Sequence, residues 1–208
     1  MRVLFGGTFD PPTLAHLALA RDLRDRLGVE VEWLPNRISP LKSAPEGGVH
    51  RIEMLRQLIQ AESGFSLNPL ELELPEPSYS VQTLRALHES DPGQSWVFCM
   101  GADSFENIER WREWQVLLEL CHILVVPRPG AQMIAPREWQ DRQAGIEIFD
   151  HQSHGHWVAW DGPELDIASS KVRSAKEQGL AWSHWVAPLV ADYIEENAIY
   201  EHDSSRTG

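Results

Sequence analysis

Apolar positions along the chain follow two alternating rhythms. Val3-Leu4-Phe5 is a short β-prone run that ends in Gly6-Gly7, and residues 29–34 (VEVEWL) alternate with the period of a strand. Trp96 to Met100 and His122 to Val126 are continuous apolar runs, as expected of strands buried on both faces. Between these runs, Leu14, Leu17, Leu23 and Leu27 recur at helical spacing over 14–27, and Ile52, Leu55, Leu58 and Ile59 share one face over 50–61. Further helices are predicted over 80–89, 113–120, 170–178 and 187–197. The polar and aromatic stretch 131–164 is less regular, with Ile146 to Phe149 and Trp157 to Trp160 as candidate late strands. Strand–helix alternation with buried strands predicts an α/β chain, a parallel sheet covered by helices on both faces. No repeat or low-complexity segment divides it, so 1–200 reads as a single domain and 201–208 as a flexible polar tail that frays.

Composition narrows the partners. Of 208 residues, 42% are hydrophobic and 24% charged, which fits a folded chain able to bury its own core. Lys and Arg number 18 against 31 Asp and Glu, a net charge of −13 that repels nucleic acid and anionic membranes. A small anionic ligand stays compatible, provided a few cations and backbone N–H groups gather locally. The start, MRVLFGGTFD, has no signal-peptide core and no run approaches the ~20 apolar residues of a membrane span, so a cytoplasmic protein is expected. Cys99 and Cys121 sit in apolar runs without metal-ligand spacing and read as reduced core residues. His151, His154 and His156 lack a Cys or acidic partner at ligand spacing and read as loop residues, so no protein metal site is expected.

Two segments suggest anion binding. Gly6-Gly7-Thr8-Phe9-Asp10-Pro11 follows the first strand, the place in an open parallel sheet where ligands meet helix N-termini. The glycines permit a sharp bend and a close backbone approach, Thr13 is a helix cap, and His16 one turn in faces back with an imidazole donor. Taken alone, Gly-Gly after a strand is simply a turn. Near the other end, Asp166 to Arg173 (DIASSKVR) leads into a helix whose start Ser169 and Ser170 suit as caps, with the Arg173 fork one turn later. As a bare pattern this too is a common helix start.

The string GGTFDPPTLAH resembles the nucleotidyltransferase superfamily with the (T/H)xGH signature, with Ala15 where the signature has Gly. The resemblance implies a Rossmann-like doubly wound fold, with Gly6, Gly7, Thr8, Phe9, Thr13 and His16 on ATP. IASSKVR resembles the superfamily's ISSTxxR motif, with Ala168 for the first Ser, and implies that Ser169, Ser170 and Arg173 clamp the triphosphate. Several middle segments are similar to bacterial nicotinate-mononucleotide adenylyltransferases. NRISPLK resembles a loop ending in PPHK and places Lys42 on the ATP phosphates, while RIEML at 51–55 matches an RxxML helix. SYSVQTL resembles SYTxDTL and assigns Tyr79 and Thr83 to the mononucleotide. GADS followed by Trp111 and Trp114 matches GxDxxxxxxxWxxW, which brings in Gly101 and Asp103. An electron-poor pyridinium ring stacks well on an indole face, so Trp111 is the stacking candidate unless both tryptophans merely pack a helix. Asp103 is suited either to a ribose or to a metal ion, and the VVPRPG segment carrying Arg128 also looks like this family. The family's activity is adenylyl transfer from ATP to nicotinate mononucleotide with Mg²⁺ on the phosphates. His16, Lys42 and Arg173 are then the charge stabilisers, and Thr8, Tyr79, Thr83, Asp103, Trp111 and Arg128 the mononucleotide contacts. The alternatives are a nicotinamide-mononucleotide or phosphopantetheine adenylyltransferase, or a nucleotide-binding protein that has lost catalysis.

Overall fold

The computed structural model describes residues 1–37, 48–75, 77–128, 130, 132–163 and 167–201. Lys42 and the 202–208 tail lie outside them. Among the described residues, seven strands form one sheet in the order β3-β2-β1-β4-β5-β7-β6, and every pair is parallel. They are β1 (Arg2–Gly7), β2 (Val31–Pro35), β3 (Phe65–Leu67), β4 (Trp96–Gly101), β5 (His122–Val126), β6 (Gln143–Ala144) and β7 (Trp157–Ala159). The longer helices are α1 (Leu14–Leu27), α2 (Gly48–Gln60), α4 (Ser80–Ser90), α7 (Ser169–Glu177) and α8 (Pro188–Glu196); short ones are α3 (Leu70–Glu73), α5 (Ala102–Glu106) and α6 (Leu117–Leu120).

Alternate strand residues feed two cores. Val3, Phe5, Trp33, Val97, Cys99 and Leu124 face α1, α2, α7 and α8, whereas Leu4, Leu34, Phe98, Met100, Ile123 and Val125 face α4, α5 and α6. Both faces of the central strands are therefore dry, which is why their sequences read as unbroken apolar runs. Both cysteines are free and fully buried, and burial pushes their thiols well above the ordinary range. Of nine tryptophans, seven are at most 6% exposed, leaving Trp111 and Trp185 only partly covered. No helix among the described residues is long and apolar enough to cross a membrane.

Several expectations need correction. Gly6 and Gly7 do not form the turn; they are the last two residues of β1. Ile146 to Phe149 is not a strand but part of a 3₁₀ turn over Ile146–Asp150, which carries Phe149 onto His122 at 5.2 Å between ring centroids. Its I-E-I-F alternation mimics a strand, while Gln143–Ala144 just before it pairs with β7. The helix expected over 113–120 is broken: Glu113 is left-handed (φ 50°), Trp114–Val116 is 3₁₀ and only Leu117–Leu120 is α-helical. Strand β3 is too short to produce a periodicity signal, and its neighbour α3 likewise.

Candidate active site

From β1 the chain builds outward through β2 and β3, then returns to place β4 on the other side of β1. That reversal opens a crevice beyond the carboxyl ends of β1 and β4, where ligands of such sheets bind. The sequence puts Gly7-Thr8 at the end of one strand and Gly101-Ala102-Asp103 at the end of the other.

The β1 glycines are demanded by packing. A Cβ on Gly6 would lie 2.9 Å from the Phe98 ring, and one on Gly7 2.7 Å from Cζ of Phe9. Phe9, at φ 52°, turns its ring inward against Phe5, Trp33 and His16 and is 1% exposed, so only its backbone is open to a ligand. The chain then enters α1 through a reciprocal cap. Thr13 Oγ1 accepts from the His16 N–H at 3.4 Å, and the Thr13 N–H donates to His16 Nδ1 at 3.0 Å. A ring nitrogen that accepts a backbone N–H carries no proton, so the neutral imidazole holds its hydrogen on Nε2 and presents it as a donor. Burial, with help from the Arg128 charge, lowers the His16 pKa to about 4.

The segment entering α7 is sewn to the loop after β1. Thr13 Oγ1 lies 3.1 Å from the Ile167 carbonyl, Ser169 Oγ donates to the Pro11 carbonyl at 2.8 Å, and Arg173 Nη1 donates to the Asp10 carbonyl at 2.5 Å. Residues more than 150 positions apart thus share one wall, with the N-termini of α1 and α7 side by side. Ser169 does not cap α7 as expected. The cap residue is Ala168, with no side-chain bond, because the Ser169 hydroxyl is spent on Pro11; Ser170 is exposed in the first turn.

Beneath this wall, Arg51 of α2 is 2% exposed. Its guanidinium donates to the carbonyls of Thr8 (3.1 Å), Arg37 (2.8 Å) and Asn36, tying together the loops that leave β1 and β2. Asn36 Nδ2 in turn reaches Thr8 Oγ1 at 3.2 Å. Burial lowers the Arg51 pKa, while the nearby Asp10 and Glu71 carboxylates oppose that shift.

Across the crevice, Arg128 follows β5 and pairs with Asp103 at 3.0 Å, its Nε lying 3.4 Å from where a Gly101 Cβ would be. Half-exposed Trp111 stands edge-on to Phe98 at 6.4 Å, the ring that also covers Gly6. Tyr79 lies under the Arg112 guanidinium at 5.0 Å. Trp114 packs at 5.1 Å against Trp139 and is 6% exposed. Thr83 is 1% exposed and donates to Glu71 Oε1 at 3.1 Å, so its side chain is already committed. Burial raises the pKa of Glu71, which Thr83 and Ser78 partly offset.

A family model described as cytidylyltransferase-like matches residues 4–175. A probable nicotinate-nucleotide adenylyltransferase of Shewanella frigidimarina is 34% identical over 210 residues, spanning 96% of this chain and 100% of its own. The chain belongs to the nicotinate-nucleotide adenylyltransferase family. A further member, from Aeromonas salmonicida, is 34% identical over 208 residues, covering 96% of this chain and 97% of the relative. The fold is shared with a Plasmodium falciparum nicotinic acid mononucleotide adenylyltransferase solved with NaAD, at TM-score 0.74, 20% identity and 96% of each chain.

Set on the framework of this adenylyltransferase family, the predicted residues divide into three groups. Thr8, Thr13, His16, Ser169 and Arg173 gather where α1 and α7 begin, with Ser170 exposed in the first turn of α7; Gly101, Asp103 and Arg128 meet at the ends of β4 and β5, with Trp111 against Phe98 and Tyr79 under Arg112. Gly6 and Gly7 end β1 beneath Phe98 and Phe9, Phe9 and Thr83 have buried side chains, and Lys42 is outside the described residues. Asp10 and Arg51 enter the sequence analysis only inside matched strings, with no contact assigned to either, and Tyr200 is not among its candidate residues. Arg51 did carry a signal, a cation on the apolar face of a helix, which must find buried acceptors.

Proposed function

We propose that this enzyme transfers the adenylyl group of ATP to nicotinate mononucleotide, releasing pyrophosphate and forming nicotinate adenine dinucleotide. The observation that supports it best is the seam between residues 10–13 and 167–173, which sets two helix N-termini beside each other at the strand-order reversal. Unpaired N–H groups at the two termini, the His16 donor and the Arg173 fork suit a polyphosphate. On the opposite bank, Trp111 offers an indole face to a pyridinium ring and Arg128 a cation to a mononucleotide phosphate.

In this reading the mononucleotide phosphate attacks the α-phosphorus of ATP. One P–O bond forms, the bond to the bridging oxygen of the β-phosphate breaks, and the electron pair leaves with pyrophosphate. The attacking oxygen is anionic at neutral pH, so no general base is needed, and catalysis consists of alignment and charge stabilisation. His16 Nε2–H donates to a phosphate oxygen, and Arg173 and Lys42 neutralise charge. Among the described residues, no three acidic, imidazole or thiol groups stand together to hold a metal ion, and Asp103 already faces Arg128. Asp103 would be the carboxylate nearest an Mg²⁺ brought in with ATP, and the ion would supply charge neutralisation on the phosphates. A cytoplasmic setting belongs to the same proposal, since both substrates are highly charged and do not cross a bilayer unaided.

The decisive experiment is pyrophosphate release with ATP and Mg²⁺, run in parallel with nicotinate mononucleotide, its amide counterpart and phosphopantetheine. The acid substrate should give the highest kcat/KM. ATP binding by calorimetry without pyrophosphate release from any acceptor would instead identify a protein that has lost catalysis.

A further inference from the structure

After α8 the chain does not trail away. It takes two left-handed steps, φ 50° at Ala198 and φ 61° at Tyr200, conformations that a residue with a side chain disfavours. Between them Ile199 enters the core at 9% exposure, and its N–H donates to the Ile194 carbonyl at 3.0 Å. The second step delivers the Tyr200 hydroxyl to Asp10, where it donates to Oδ1 at 2.5 Å. Burial and the adjacent carboxylate push the phenol's pKa upward, so the hydroxyl keeps its proton and stays a donor.

Asp10 is 3% exposed and feels the charge of two guanidiniums. Arg173 Nη1 donates to the Asp10 backbone carbonyl at 2.5 Å, yet stands 3.8 Å from carboxylate Oδ2, beyond a good hydrogen bond. Arg51 is the second, engaged by the loop carbonyls. A carboxylate with both oxygens available matches a guanidinium with two parallel bonds, and such a pair would occupy the fork of Arg173. Here Tyr200 holds Oδ1.

We infer that Tyr200 is a positioning residue: by fixing the Asp10 carboxylate, it keeps the Arg173 guanidinium anchored by one nitrogen and free to meet phosphate with the others. This rests on the reading of Arg173 as a phosphate ligand. Ile199 independently anchors the end of the chain in the core.

The test is Tyr200→Phe in the full-length protein, which keeps the ring and removes the donor. Calorimetric affinity for a non-hydrolysable ATP analogue should fall about five- to twentyfold, the size expected of one charge-assisted hydrogen bond acting through a neighbour. The KM for nicotinate mononucleotide should change less than twofold. In an Arg173→Ala background the same substitution should alter ATP affinity less than twofold. Adding Asp10→Asn to Tyr200→Phe should recover part of the loss, because an amide makes no ion pair with Arg173. An unchanged affinity in Tyr200→Phe overturns the inference, as does the same penalty with Arg173 removed, or a lowered melting temperature with the folded protein's ATP affinity intact. If Arg173→Ala itself binds the analogue like the wild type, the phosphate-ligand reading fails and the inference with it. If Arg173→Ala weakens binding and Tyr200→Phe does not, only the role of Tyr200 falls.

Discussion

His16 keeps its proton on Nε2 because the backbone of its own helix cap occupies Nδ1, and it is neutral because its surroundings disfavour the charged ring. In the free protein its imidazole should titrate near 4, against an ordinary 6.5, and an ATP analogue should move that value upward. NMR of the imidazole carbons reads both. The unfolded chain binds the proton more readily, so the contribution to stability is lost as pH falls from about 6.5 towards 4. In melts over that window, wild type should lose ground relative to His16→Gln. His16→Ala should reduce turnover by roughly a hundredfold or more, as loss of one aimed donor does. It should cost only about 1 kcal/mol of stability through the weakened cap, a split that steady-state kinetics and urea titration measure side by side.

At the scale of elements, strand β1 carries the clearest lesson. Gly6-Gly7 is visible in the sequence as a flexible pair after an apolar run, and the natural inference is a turn. The pair is instead extended, and small, because Phe98 and Phe9 cover it from opposite sides. Gly7→Ala should therefore destabilise the protein by about 1–3 kcal/mol, the usual cost of forcing a methyl into a filled core. Urea unfolding should show a lower midpoint with an unchanged slope. The major strands and helices were legible because burial on one or both faces imposes a period. The broken helix after Trp111 and the short β3 and β6 were not, since each is decided by a few packing contacts that leave no repeat in the chain.

For the molecule as a whole, α2 works as a clamp from below. Arg51 binds three carbonyls from two loops, in a buried site that also holds the charges of Asp10 and Glu71. Arg51→Lys should cost about 2–4 kcal/mol, because a compact ammonium cannot reach three acceptors at once and leaves buried carbonyls unpaired. Chemical denaturation checks the number, and a matched fall in activity would mark loosening of both loops. The amino-acid sequence by itself determined the parallel α/β class and the two motifs at opposite ends of the chain, because burial periodicity and residue chemistry are local properties. Only the tertiary structure decided that Phe9 and Thr83 turn inward, that Ser169 bonds Pro11 rather than capping its own helix, and that Tyr200 returns to Asp10. Those outcomes depend on which distant atom lies within hydrogen-bonding or van der Waals reach, and that is set by the closing of the sheet rather than by any neighbour in sequence.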